Sequence, residues 1–241
     1  MTNPVESVVV WKWKKPGYRS TFTAHHVNVM RRMVARHYPF PHRFICITDD
    51  PTGIDSEVEV VPLWNDHAEL LNPTWPGVGP SCYRRLRAFS PEFEEIAGRR
   101  FVSVDLDVVI TGDLTPLWNR PEEFVIYAPA SAGYHYNGSM FLVTAGARAQ
   151  VWDTFDPATS PRTSNAAKCH GSDQAWIQYV LGPNEARWTT DHGIFAYKRD
   201  SLRRRNGGMP PGARLVVFHG KPDPWDRQAL NRSPWISKHY Y

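Results

Sequence analysis

Two carboxylates one residue apart, Asp105 and Asp107, stand in the run Arg100-Phe101-Val102-Ser103-Val104-Asp105-Leu106-Asp107-Val108-Val109-Ile110. β-Branched and aromatic residues dominate the run and Gly112 closes it, which predicts one buried strand. An unpaired carboxylate inside such a strand is costly, so a cation or a set of donors has to satisfy it. In an extended segment alternate side chains share a face, so both aspartates would reach one divalent ion. His219 is a third candidate ligand, because a neutral imidazole suits a borderline cation such as Mn²⁺ as well as oxygen ligands do. It follows the apolar Leu215-Val216-Val217-Phe218. Just beyond it, Lys221 would meet a phosphate as a point charge, and Gly220 would let the backbone approach a ligand closely.

The elements that must carry these residues alternate. Residues 7–13 predict a first strand ended by Pro16-Gly17, and 21–37 a helix with Phe22, Val27, Met30, Met33 and Val34 near helical spacing. Strands are predicted at 44–48 and 58–61, a loop at 64–80, helical segments at 83–89 and 91–97, then the strand carrying both aspartates. Short strands at 124–127 and 140–143 follow, then a helix at 145–155, a loop at 156–170 and a helix at 172–181 with Ser172 as N-cap. A second loop spans 203–212, and the last strand is 215–218. Strand–helix–strand alternation predicts an α/β fold, a mostly parallel central sheet flanked by helices. Ligands of such sheets bind at the carboxyl ends of the strands, where Asp49, Asp107 and His219 all fall.

Composition bounds the reading. The chain has 241 residues, enough for one substantial core. Hydrophobic residues at 41% and charged residues at 22% are those of an ordinary globular protein. The ten tryptophans suit a cleft that stacks flat ligand faces. A net charge of +4 favours anionic substrates but is too small to demand nucleic acid. The clustered Arg203-Arg204-Arg205 reads as a solvated loop. Cys46, Cys82 and Cys169 show no zinc, redox or disulfide spacing. With no basic N-terminal leader and no run long enough to span a bilayer, the expectation is a cytoplasmic protein without a transmembrane segment.

The ordered set of motifs resembles the GT-A-fold glycosyltransferases, most of all the retaining family 8 group that includes glycogenin and the bacterial lipooligosaccharide galactosyltransferases. The set is Val-Asp-Leu-Asp-Val-Val, then Tyr136-Asn137-Gly138-Ser139-Met140, then Gly171-Ser172-Asp173-Gln174-Ala175-Trp176, then Phe218-His219-Gly220-Lys221-Pro222. The resemblance covers roughly residues 5–225 and implies a single GT-A domain. Residues to about 110 would form the nucleotide-binding half, and 111–241 the donor-sugar and acceptor half. It implies that Asp105, Asp107 and His219 hold Mn²⁺ (or Mg²⁺), which bridges the diphosphate of a nucleotide-diphospho-sugar, with Lys221 on that diphosphate. Asn137 and Arg85 would touch the donor sugar, Arg84 being the fallback, and Asp173 and Gln174 would lie beneath its reactive carbon. The expected partners are the nucleotide-sugar donor, UDP-linked, and a glycan or small-molecule acceptor.

Departures from the family pattern are local. Trp225 comes later than in the family's Lys-Pro-Trp ending, and the first strand lacks the family's Asn or Asp pattern. Trp13 and Tyr18 are candidates to stack on a base, with core packing the alternative for Trp13. Two other functions stay open on these residues. In a haloacid-dehalogenase-like phosphatase Asp105 would be a nucleophile, but about a hundred residues precede a motif that normally opens that domain. A non-catalytic carbohydrate- or nucleotide-binding module would use the tryptophans but leaves the carboxylates, His219 and Lys221 unexplained.

Overall fold

The computed structural model describes residues 3–14, 21–73, 81–129, 135–200, 202 and 208–241. Strands β1 (Ser7–Lys12), β2 (Arg43–Thr48) and β3 (Glu59–Pro62) pair in parallel. β4 (Arg100–Val104) lies parallel to the other side of β1. β7 (Asn137–Thr144) is antiparallel to both β4 and β6 (Phe124–Tyr127), and β8 (Ala186–Trp188) joins β6 in parallel. The result is a seven-stranded, mostly parallel sheet in the order β3-β2-β1-β4-β7-β6-β8. All six residues of β1 are buried, as a strand covered on both faces requires.

Each face carries its own core. Helix α1 (Ala24–His37) presents Val27, Met30, Met33 and Val34 to Val8 and Val10 of β1. On the other face Val9 and Trp11 meet a 3₁₀ helix, Tyr83–Phe89, helix α2 (Phe93–Ala97) and helix α6 (Asp173–Leu181). The chain steps from β1 outward to β3, then back across β1 to β4. That reversal lies between β1 and β4, the point at which open α/β sheets bind ligands.

The expected single strand over 100–110 is two strands in different sheets. β4 ends at Val104, residues 105–107 turn, and β5 (Val108–Ile110) enters a three-stranded sheet with β10 (Leu215–Val217) and β9 (Ile194–Ala196). The argument that Asp105 and Asp107 share one face of an extended strand therefore fails. The turn sets them instead, and Leu106 between them is buried as an anchor. Residues 145–155 are turns with only a short helix α4 (Gln150–Asp153), and the expected loop 156–170 contains helix α5 (Ser160–Ala166). Pro161 sits in the first turn of α5, where a missing N–H costs nothing. Ser172 does not cap α6 through its side chain; its Oγ accepts the Cys82 N–H at 2.8 Å. Helix α3 (Thr115–Trp118) and two late helices, α7 (Arg227–Arg232) and α8 (Trp235–His239), complete the fold. Tyr18, Arg203 to Arg205 and part of the loops expected at 64–80 and 203–212 lie outside the described residues. Among the described residues no helix is long and apolar enough to cross a membrane, and all three cysteines are free.

Candidate functional site

A cleft opens at the β1/β4 switch point, lined by Trp11, Trp13, Phe22, Cys82, Arg85, Asp105, Leu106 and Asp107. It encloses about 490 Å³ of space not filled by protein atoms, open solvent included. One wall is aromatic and comes from the end of β1 and the approach to α1. The other is ionic and comes from the start of the 3₁₀ helix and the turn after β4. Trp11 is fixed by its indole N–H, which donates to Ser103 Oγ at 2.9 Å. Trp13 is half-buried: it packs against the core and also lines the cleft.

Arg85 is the centre of the ionic wall. The 3₁₀ helix turns it inward, 5% exposed, while its neighbour Arg84 turns out to the Trp64 carbonyl, with Nε donating at 3.0 Å. Arg85 Nε donates to Asp173 Oδ2 at 2.8 Å and its Nη2 lies 2.6 Å from the same oxygen. Its Nη1 donates to Asp105 Oδ1. Burial works against the guanidinium charge, but Asp173 and Asp105 overturn it, so its pKa lies well above the ordinary value. Burial raises the carboxyl pKa of Asp173, which is 3% exposed, and Arg85 pulls it back. Gly138 is what lets the guanidinium lie there: a Cβ on Gly138 would stand 2.6 Å from Arg85 Nη2.

The other expected residues gather around this core. Asp105 N–H donates to Ser139 O at 2.8 Å, and Phe218 N–H donates to Asp107 O at 3.1 Å. These two backbone bonds bring the Asn137-Gly138-Ser139 segment and His219 to the two aspartates. Asn137 Nδ2 lies 3.4 Å from His219 Nδ1, and the His219 ring stacks on Tyr127 at 6.0 Å. Gln174 spans two backbones, its Oε1 accepting from Gly138 N–H at 3.2 Å and its Nε2 donating to His170 O at 3.1 Å. Gly220 takes a left-handed φ of 67°. Lys221 is turned to acidic neighbours, 2.8 Å from Asp223 Oδ2 and 3.3 Å from Asp226 Oδ2. Asp49 is exposed and accepts the Lys14 N–H at 3.2 Å.

Two carboxylates and an imidazole are a donor set suited to a hard or borderline divalent ion, and the backbone bonds converge their main chains. Among the described residues, however, no three His, Cys, Asp or Glu side chains are already drawn together as a ligand cluster. The guanidinium of Arg85 stands on Asp105 instead. Phe22 and Cys82 were not foreseen in the cleft. Phe22 immediately precedes the Thr23 N-cap of α1, so its place just outside the helix was the available signal. Burial pushes the Cys82 thiol up to about 12, which keeps it protonated and unreactive at neutral pH.

No family model matches the sequence, and no curated protein does. Solved structures do match over the whole chain. The galactosyltransferase LgtC, solved with donor and acceptor sugar analogues, superposes with a TM-score of 0.59 at 15% identity, covering 98% of this chain and 96% of that one. The chain has a GT-A glycosyltransferase fold. An active-site mutant of LgtC gives 0.61 at 14% identity, over 96% and 95% of the two chains. The glycosyltransferase GlyE from Streptococcus pneumoniae TIGR4 gives 0.56 at 12% identity, over 98% of this chain and 65% of its own. In this GT-A frame the aromatic and ionic walls meet where the strand order reverses.

Proposed function

We propose that the protein is a glycosyltransferase that moves a sugar from a nucleotide-diphospho-sugar, UDP-linked, to a glycan or small-molecule acceptor, with retention of configuration. The observation that carries this is the two-walled cleft at the switch point, aromatic on one side and ionic on the other. The fold shared with sugar-transferring enzymes supports it. The segment to about residue 110 would hold the nucleotide, and the remainder the donor sugar and acceptor. A base would stack on Trp13 or Phe22 of the aromatic wall, since a flat ring gains most against an aromatic face.

Asp105, Asp107 and His219 would hold Mn²⁺ or Mg²⁺, which, when bound, stabilises the charge of a departing nucleoside diphosphate. Arg85 offers a protonated donor at the same wall, where it would orient the donor and favour the developing negative charge. Asp173 and the Gln174 amide would supply negative potential beneath an oxocarbenium-like sugar carbon. Asn137 would contact the donor sugar. Gly220 would let the chain close on the diphosphate, and Lys221, freed from Asp223 and Asp226, would neutralise it.

Calorimetric titration with UDP, GDP and CMP, each with Mn²⁺ and then with EDTA, tests this reading. Manganese-dependent binding of UDP, followed by slow hydrolysis of a UDP-sugar, is the expected result. Asp107→Ala should keep the fold and abolish manganese-dependent binding. Absence of binding to any nucleotide would overturn the transferase and return both the phosphatase with an Asp105 nucleophile and the non-catalytic binding module.

A further inference from the structure

We infer that Arg85 is a built-in counter-cation that competes with a divalent ion for Asp105, so that metal affinity in this cleft is set by an exchange of partners. The inference rests on the proposed metal-assisted transfer and adds to it a residue that positions the ligands. Asp105 is an expected metal ligand, yet Arg85 Nη1 occupies its Oδ1. The same guanidinium is anchored elsewhere, through Nε and Nη2 on the nearly inaccessible Asp173. Only one of its three nitrogens therefore has to let go. When an ion takes Asp105, Arg85 keeps Asp173 and its Nη1 is released toward the cleft it lines, available to an anionic oxygen of the donor. No bond to carbon or phosphorus changes in this step; one N–H···O contact is exchanged for an ion–carboxylate contact.

Charge makes the exchange balanced. Asp105 and Asp173 carry two negative charges against the single positive charge of Arg85, so the wall keeps one negative charge before counting Asp107. A cation is attracted, but less strongly than two unopposed aspartates would attract it. Gly138 belongs to the device. Its missing side chain leaves the space that Arg85 Nη2 fills, 2.6 Å from where a Cβ would be. Sequence spacing hides this arrangement, because the partners of Arg85 stand 20 and 88 residues away.

The test is manganese binding to the folded chain without nucleotide, followed by calorimetry or by the paramagnetic signal of free Mn²⁺. Arg85→Gln should bind Mn²⁺ at least about fivefold more tightly than the parent, the lower end of ordinary coupling between two ligands. Arg85→Lys keeps the charge but lacks the fork that bridges two carboxylates. It should move in the same direction by a smaller factor. Arg84→Gln, which removes an equal charge one residue away on the Trp64 carbonyl, should leave the affinity unchanged. Equal or weaker binding by a folded Arg85→Gln overturns the exchange. If that variant does not fold, Arg85→Lys decides by the same criterion. A parent that binds no nucleotide while these manganese affinities still separate would overturn the transferase reading and leave the exchange standing.

Discussion

Arg85 and Arg100 are buried almost alike, at 5% and 4% exposed, and they meet opposite kinds of partner. Arg100 opens β4, and Asp105, the partner of Arg85, follows its far end. At the opening end the guanidinium is met by neutral oxygens: Nη1 donates to Glu122 O at 3.0 Å and Thr144 Oγ1 at 3.2 Å, and Nη2 donates to Arg120 O. Burial lowers its pKa, with Glu122 pulling the other way. At the far end one guanidinium faces two carboxylates. The contrast separates two uses of a buried charge: Arg100 ties loops to a strand, whereas the Arg85 cluster leaves negative charge in excess at the cleft wall, as the proposed cation site would require.

The sharpest way to break this contrast is to neutralise each arginine in turn. Arg85→Gln should cost about 3–5 kcal/mol at neutral pH, the usual penalty for leaving a buried charge unpaired, and lower transfer more than about 100-fold; urea unfolding and UDP-sugar turnover read the two. That stability loss should shrink on acidification. Burial holds the Asp173 pKa above its unfolded value and Arg85 pulls it back, so without Arg85 the folded variant binds that proton more tightly than the parent does. Stability of the variant then falls as pH rises through the raised pKa and returns below it. Equal losses at pH 5 and pH 7.5 would contradict this.

Gly138→Ala should act through the same cluster without touching a charge. Its new methyl displaces the Arg85 guanidinium, costing about 1–3 kcal/mol as an overpacked contact and lowering turnover, whereas a stability loss with full turnover would remove Gly138 from the device. Arg100→Met should also cost about 1–3 kcal/mol, by leaving half-buried carbonyls without their donor, but turnover per folded molecule should not change. A fall in turnover there would erase the distinction between the two ends of the strand. The smallest effect belongs to the aromatic wall: Trp13→Ala should weaken UDP binding by about 0.5–1.5 kcal/mol and leave manganese affinity alone.

The parallel core was legible because β1, β2 and β6 are short apolar runs of β-branched and aromatic residues, a pattern that reports burial on both faces. The break after Val104 was not, because Leu106 keeps the run apolar through the turn and periodicity cannot tell a bend from a strand. Helix α5 was hidden by polar composition and by a proline that the first helical turn tolerates. For the site, the family resemblance named Arg85 before Arg84, and the structure turns the first into the cleft and the second out to the Trp64 carbonyl. The ion pair joining Arg85 to Asp105 and Asp173 was not, since contacts made across a fold leave no trace in local spacing. The late chain was read least: β8, β9, α7 and α8 are each six residues or fewer, too short to show a period.

The turn at Asp105–Asp107 also constrains how the molecule is made. Its outgoing arm, β5, is fully buried and pairs with β10, more than a hundred residues further along. During synthesis at about 5–20 residues per second, that arm leaves the ribosome roughly 5–20 seconds before its partner exists. The nascent chain therefore carries an unpaired apolar strand beside the cleft, and that strand is paired only when residues 215–217 arrive. Pairing of β5 is in this sense a late event of biosynthesis, which makes the interval before β10 emerges the period in which a chaperone would be needed.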